Sequence, residues 1–495
     1  MNRKIVVNVL GKIFIVTSIL MLVPFLIAFV YHEDLNNILS FAIPILVLFT
    51  AGILMTIRRV DSHSFGIKDG LFITSVSWIL MSLIGAVPFV ISGEIPNYID
   101  AVFEIASGFT TTGATILKPE QLDALSHSIL FWRSFSHWIG GMGILVFIMA
   151  VVPKNNENAM HILRAESPGP RVNKLVAKMS KSSQILYIIY VFLTLLLFGL
   201  LLLIRDPEID WFTSLCTAFA TAGTGGFTIS SAGITAFGAP AQYIISIFML
   251  LFGTNFTLYY LLLIGDFKTI VKNEEVRWYA LTILIAVTIV TINTLHIYSS
   301  FEETFRTSFF QVASIISTTG FTTTNYAAEW PALSLIILVL LMIVGSSAGS
   351  TAGGIKQSRI MLLIKKGYTN IAKIFNPRSV HVMKMDGKTI DDKLMGTVVD
   401  FAILYTIVVL ACAILTSIYN PNMPDLDPIT SFTASLSCIS NVGPGLGLVG
   451  PAGNFGGYSA VSKIIFSLEM IAGRLELLPV IILFNPYTYK SKNSF

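Results

Sequence analysis

The chain has 495 residues, 54% of them hydrophobic and only 12% charged, with a formal net charge of +4. A soluble domain carries about a quarter charged residues, so this composition excludes an ordinary soluble enzyme. The small net charge gives no basis for nucleic-acid binding. Cys216, Cys412 and Cys438 have neither metal-ligand nor disulfide-framework spacing.

In chain order, ten apolar stretches are long enough to cross a bilayer, which takes about 20 residues. They run near 5–31, 38–57, 70–93, 128–152, 184–204, 239–265, 278–298, 331–361, 395–418 and 461–484. The first is too long for a signal-peptide core and lacks a small-residue cleavage site. Segments 58–69, 153–183, 266–277 and 356–394 hold most of the Lys and Arg, whereas the opposite loops hold few, among them Lys118, Arg205 and Arg306. The positive-inside rule therefore puts both termini in the cytoplasm, as an even number of spans requires. The basic charge of 356–394 has a second reading, docking of a regulatory subunit or of anionic lipid.

The outer loops contain four short, semi-apolar segments, 100–113, 211–223, 307–320 and 430–443. Each is too short to span and reads as re-entrant. Aligned on Gly113, Gly223, Gly320 and Gly443, they share a hydroxyl six residues earlier: Ser107, Thr217, Ser314 and Ser437. Four residues before each glycine stands a large apolar residue: Phe109, Phe219, Ile316 and Ile439. The glycines recur at roughly hundred-residue intervals, so the chain is an internal repeat. The expected fold is an all-α integral membrane protein with four pseudo-symmetric helix–pore loop–helix repeats plus two N-terminal transmembrane helices. Its units are 1–69 (the two N-terminal helices), then pore repeats 70–183, 184–277, 278–394 and 395–495.

The physics of the repeat points to a cation path. A short helix entering from outside and stopping near the membrane centre aims its negative dipole end inward. The chain then continues as bare backbone, which is tolerated at that depth only where it is buried or lines water. Four such strands present rings of carbonyl oxygens able to replace the hydration shell of a monovalent cation. The flanking positions lack the carboxylates that a divalent site would want. A secondary carrier with alternating access also uses repeats and broken helices, but usually with one midplane site of polar or ionisable side chains.

At these residues the chain resembles the Trk/Ktr/HKT superfamily of potassium transporters, and most closely its TrkH-type membrane subunit. The pieces that carry the resemblance are SGFTTTGAT at 107–115, ATAGTGGF at 220–227, STTGFTTTNY at 317–326, SNVGPGLGLVGP at 440–451, WRSFSHWIGGMGILVF at 132–147 and GSSAGSTAGGIK at 345–356. The resemblance implies a potassium-selective filter lined by Thr111, Thr112 and Gly113; Thr221, Ala222 and Gly223; Thr318, Thr319 and Gly320; and Asn441, Val442 and Gly443. Glycine in all four copies matches the potassium-selective pattern, while the fourth copy departs most, with Asn441 and Val442. It implies K+, and also Rb+, as the permeant ion held at the filter carbonyls, with no covalently bound cofactor and no catalytic residues. It further implies a homodimer in the bacterial inner membrane with a cytosolic nucleotide-binding regulatory subunit of the TrkA type, through which alone nucleotide acts. A potassium symporter coupled to sodium or protons is the alternative.

Residues 345–354 hold no bulky side chain, and glycines weaken a helix by roughly 1 kcal/mol each against alanine. With the resemblance, this stretch reads as a gate loop below the filter, through Gly345, Gly349, Gly353 and Gly354; the alternative is close helix packing through small residues. Arg474, inside the last apolar span, reads as a cation facing that loop and the ion path; the alternative is an ion pair with Glu469 or Glu476. Gly345-Ser-Ser-Ala-Gly349 fits a serine-nucleophile motif, but that motif needs a strand-to-helix turn. The glycine spacing of 445–450 mimics a dinucleotide fingerprint without a strand–helix unit around it. His137 and Trp138 read as packing residues.

Overall fold

The computed structural model describes residues 3–57, 67–143, 179–376, 382–421 and 423–484. Residues 58–66 and 153–178 of the expected inner segments 58–69 and 153–183, and residues 144–152 of the expected span 128–152, lie outside the described residues. Apart from one short hairpin, in which β1 (Lys384–Met385) pairs antiparallel with β2 (Lys388–Thr389), the regular elements are helices.

Helices α1 (Arg3–Val30) and α2 (Leu35–Thr56) form an N-terminal hairpin. They cross at Gly11 and Gly52, where a Cβ on Gly52 would lie 2.7 Å from the Gly11 carbonyl oxygen. Small residues at such a crossing let two backbones approach closely. The turn after α1 is pinned to the rest of the molecule by Glu33, whose carboxylate accepts from the Ser128 N–H at 2.9 Å.

Next come α3 (Ile67–Gly85), α4 (Val87–Ser92), α5 (Tyr98–Phe109), α6 (Pro119–Asp123) and α7 (His127–Met142). They are followed by α8 (Met179–Ile204), α9 (Trp211–Gly223), α10 (Ala239–Phe252), α11 (Phe256–Leu263) and α12 (Phe267–Lys272). Then come α13 (Glu274–Thr294), α14 (Phe301–Ile316), α15 (Tyr326–Glu329), α16 (Ala332–Val344) and α17 (Gln357–Phe375). Last are α18 (Asp392–Ile418), α19 (Pro428–Ser440), α20 (Ala460–Arg474) and α21 (Leu478–Phe484).

Burial is distributed as lipid demands. The long helices expose apolar side chains such as Leu26, Leu54, Leu203, Leu284 and Ile414, whereas Glu104, Ser107, Gln311, Ser314 and Ser437 on the short central helices are fully buried. With lipid outside, apolar faces can point outward while polar groups collect within the bundle.

Several expected spans are interrupted. The stretch 239–265 bends by 92° between α10 and α11. Gly253 ends the first helix, and the Asn255 side chain caps the second by accepting from the Thr257 N–H at 2.9 Å. The stretch 331–361 is helix α16, an irregular loop, and the start of α17. The stretch 461–484 breaks after Arg474, where Glu476 and Leu477 both take positive φ.

Candidate ion pathway

The four short helices α5, α9, α14 and α19 start the same way. Each has a polar N-cap side chain accepting from the first turn: Asn97 from the Ile99 N–H (2.9 Å), Asp210 from Thr213 (2.7 Å), Ser300 from Glu303 (3.1 Å) and Asp427 from Thr430 (2.7 Å). Such a cap satisfies a helix-end donor that nothing inside the helix can reach.

They also end the same way. Thr111, Thr224, Thr318 and Asn441 adopt left-handed backbone with φ of 57°, 56°, 56° and 55°. The following residue then bonds back over the helix end: Thr112 N–H to the Ser107 carbonyl (2.9 Å), Gly225 to Ala220 (2.9 Å), Thr319 to Ser314 (2.8 Å) and Val442 to Ser437 (3.0 Å). This is a Schellman-type termination. A glycine of positive φ follows in each case, Gly113, Gly226, Gly320 and Gly443, at 81°, 77°, 80° and 100°.

The glycines close a ring. A Cβ on Gly113 would land on the Gly225 carbonyl oxygen, one on Gly226 on that of Thr319, and one on Gly320 on that of Val442. On Gly443 it would lie 2.6 Å from the Thr112 carbonyl oxygen. Each copy thus seats its glycine against the middle residue of the next, and the fourth returns to the first. Any side chain there would have to displace backbone.

The second copy corrects the expected alignment. The residues occupying the repeated turn are Thr224, Gly225 and Gly226, three positions beyond the expected Thr221, Ala222 and Gly223. Those three instead form the last turn of α9, and Gly223 packs against the His137 carbonyl oxygen. The hydroxyl rule misled because Thr217 lies six before Gly223, whereas six before Gly226 stands Ala220. In the third and fourth copies that hydroxyl ties the turn from behind, Ser314 to the Phe321 carbonyl (2.6 Å) and Ser437 to that of Gly443 (2.7 Å). The N-cap would have given the register: Asn97, Asp210 and Asp427 each lie sixteen residues before their glycine. Ser300 lies twenty before Gly320, about one extra helical turn.

His137 braces the ring. Its Nδ1–H donates to the Gly108 carbonyl at 2.8 Å, and its Nε2 accepts from the Phe227 N–H at 3.2 Å. Both nitrogens are thereby spent on backbone, which leaves His137 none to activate a serine of the 345–349 motif. Trp138 stacks on Phe135 and donates to Thr194 Oγ1 at 3.3 Å.

The loop between α16 and α17 lies against the ring. Its neck is closed by Ile355 N–H to the Ile343 carbonyl (3.1 Å) and Lys356 N–H to that of Val344 (3.1 Å), with Gly345 and Gly354 back to back. Beside the neck the Gly353 N–H donates to Thr318 Oγ1 at 2.7 Å, and Thr351 Oγ1 meets Thr224 Oγ1 at 3.3 Å. Gly353 also packs on the Ser440 carbonyl beside Asn441. Three of the four left-handed residues therefore touch the loop. Gly349 sits farther back, its carbonyl accepting from the Phe256 N–H at 3.1 Å.

Arg474 bridges the loop to the first copy. Its guanidinium donates to the Thr351 and Gly140 carbonyls and, at 2.6 Å, to that of Gly141. Glu476 forms an ion pair with Arg359, and Glu469 accepts from Ser435 Oγ. Glu275, which the sequence did not single out, accepts from the Ala348 N–H at 2.7 Å and so holds the loop's other side. Lys356 is buried and donates to the Ala352 carbonyl.

A helical membrane protein with a ring of backbone carbonyls at the ends of four short buried helices belongs to the class of membrane transport proteins. Residues 35–493 match the model of the TrkH cation transport protein family, and the chain belongs to that family. It is 33% identical to the Trk system potassium uptake protein TrkH of Escherichia coli (strain K12), covering 98% of this chain and 99% of that relative. It is 31% identical to the Trk system potassium uptake protein TrkG of the same strain, covering 99% of each. The crystal structure of the potassium transporter TrkH from Vibrio parahaemolyticus superposes with a TM-score of 0.87 at 27% identity, covering 99% of this chain and 100% of that one.

Proposed function

We propose that this chain is the ion-conducting membrane subunit of a Trk-type potassium uptake system, and that K+ crosses it through the four-turn ring. The observation that carries the reading is one turn made four times, each glycine seated on a carbonyl of the next copy. The negative ends of four helix dipoles converge on these turns. Carbonyl rings suit a dehydrated monovalent cation, and the twelve ring residues include no carboxylate. The names of the relatives, potassium uptake proteins, supply the ion.

On this reading the selectivity filter is Thr111–Gly113, Thr224–Gly226, Thr318–Gly320 and Asn441–Gly443. The loop 345–356 is the gate, and Arg474 is its tether. The repeat units follow the boundaries 70–183, 184–277, 278–394 and 395–495. The protein works as a homodimer in the inner membrane, termini in the cytoplasm, under a nucleotide-binding regulatory subunit. Arg474→Ala then raises rubidium flux in the absence of that subunit; unchanged flux and control would remove Arg474 from the gate.

The test is tracer rubidium uptake into proteoliposomes of the purified protein, with potassium, sodium or no competitor, repeated for Gly113→Ser. Block by potassium but not sodium, weakened in the variant, supports a glycine-lined potassium filter. Equal competition by both ions in the unaltered protein would sink the selectivity.

A further inference from the structure

The position nine residues before each ring glycine differs in every copy: Glu104, Thr217, Gln311 and Ala434. In the first copy it builds an ion pair behind the ring. Glu104 is fully buried and Arg133, on α7, is 2% exposed. The carboxylate accepts from Arg133 Nη2 at 2.7 Å and Nε at 3.0 Å. It also accepts from Thr115 Oγ1 at 2.9 Å and the Ile116 N–H at 3.0 Å, two and three residues beyond Gly113. Arg133 then reaches into the second copy. Its Nη1 donates to the Thr228 carbonyl at 3.1 Å, two residues beyond Gly226, and its guanidinium lies 4.1 Å from the Phe227 ring centroid. The segments just beyond Gly113 and Gly226 are thus joined through one buried pair.

The other copies have no such pair at this position among the described residues. Thr217 borders an outer cavity of about 370 Å³. Gln311 is fully buried, yet neither of its amide atoms has a hydrogen-bond partner, and the same holds for Thr323 Oγ1, three residues beyond Gly320. Ala434 offers no polar group.

We propose that Glu104 and Arg133 are specificity-determining positioning residues, an ionic brace that fixes the first ring strand against the second and thereby sets the carbonyl spacing on which ion discrimination depends. This rests on the filter reading above. A buried pair adds little stability over a well-packed apolar replacement, so its contribution here is geometric. Charge-assisted, forked hydrogen bonds hold direction as well as distance. Neither residue belongs to the ring, and each acts through the backbone it holds.

The experiment compares Glu104→Asp, Glu104→Gln and the double variant Glu104→Gln/Arg133→Gln in the rubidium assay, with thermal unfolding in detergent measured alongside. Glu104→Asp keeps the charge but shortens the reach by one methylene. The double variant removes both charges, so it leaves no unpaired ion to prevent folding. The expected result is folded protein whose preference for potassium over sodium falls roughly tenfold, the low end of what loss of an outer-shell partner costs at a metal site. Native discrimination in a folded Glu104→Asp or double variant overturns the proposal. Failure of all three to fold overturns it as well, because the pair would then be purely structural. Gly113→Ser separates the readings: if that ring variant leaves discrimination intact, the filter assignment fails rather than the brace.

Discussion

The backbone N–H of Gly353 donates to Thr318 Oγ1 at 2.7 Å, so the intramembrane loop and the ring share a hydrogen bond. Thr318 is one of the four left-handed residues on which the ring is built. On the proposed gate reading, a loop that leaves this position must give up that bond, which would couple closure and ring geometry at one side chain. Thr318→Ala removes the acceptor and leaves the ring backbone unchanged. Loss of a net contribution of about 1 kcal/mol shifts the balance toward the displaced loop roughly fivefold. Rubidium leak without the regulatory subunit should rise accordingly, and a leak equal to that of the unaltered protein would show that the bond plays no part in closure.

The second copy offers a direct test of register. Gly226 seats against the Thr319 carbonyl within the ring, whereas Gly223 packs on the His137 carbonyl in the helix behind it. Gly226→Ser should push the third strand and weaken discrimination between potassium and sodium. Gly223→Ala should instead separate α9 from α7 and lower the yield and melting temperature of folded protein. Competition assays and thermal unfolding on both variants distinguish the two; the opposite pattern would restore Gly223 to the ring.

A pH effect is expected at the outer face. Asp123 accepts from the Ser231 N–H at 2.8 Å and from its hydroxyl at 2.6 Å, and these bonds hold its carboxyl below the ordinary value of 3.8. A depressed pKa contributes stability that is present above the ordinary value and lost as pH falls through the lower, folded one. The tie between α6 and the 228–237 loop should hold at neutral pH and loosen only below about pH 4. Hydrogen exchange of the Ser231 amide, followed down in pH, should accelerate there. In Asp123→Asn it should be fast throughout and nearly independent of carboxyl titration.

Much of this architecture was readable before any coordinates, because the signals are local. Apolar runs marked the helices, although among the described residues only 6 of them, or up to 7 if the bent pair is one span, are long and apolar enough to cross a membrane. Glycine betrayed the positive-φ positions at three of the four turns, since a Cβ at Gly113, Gly320 or Gly443 meets backbone. The register of the second copy was misread because ATAGTGGF holds three glycines, and residues adjacent to a turn do not say which glycine carries it. The cap residue Asp210 did, at a distance of sixteen, because helix length rather than nearby composition sets where the helix stops.

Contacts between copies were beyond reach. The span near 331–361 read as apolar enough to cross, yet it opens between Val344 and Gln357 because Gly253, Phe256, Glu275 and Thr318 stand ready to take up its backbone groups. Glu104 looked like an unremarkable residue on a short helix until Arg133, 29 positions away, was found against it. The sequence by itself determined that the chain is a helical membrane protein, because hydropathy, capping and glycine conformation are properties of short segments. Only the tertiary structure decided which residues form the ring and which side chains and loop lie against it, because those depend on groups distant in the chain meeting at hydrogen-bond distance.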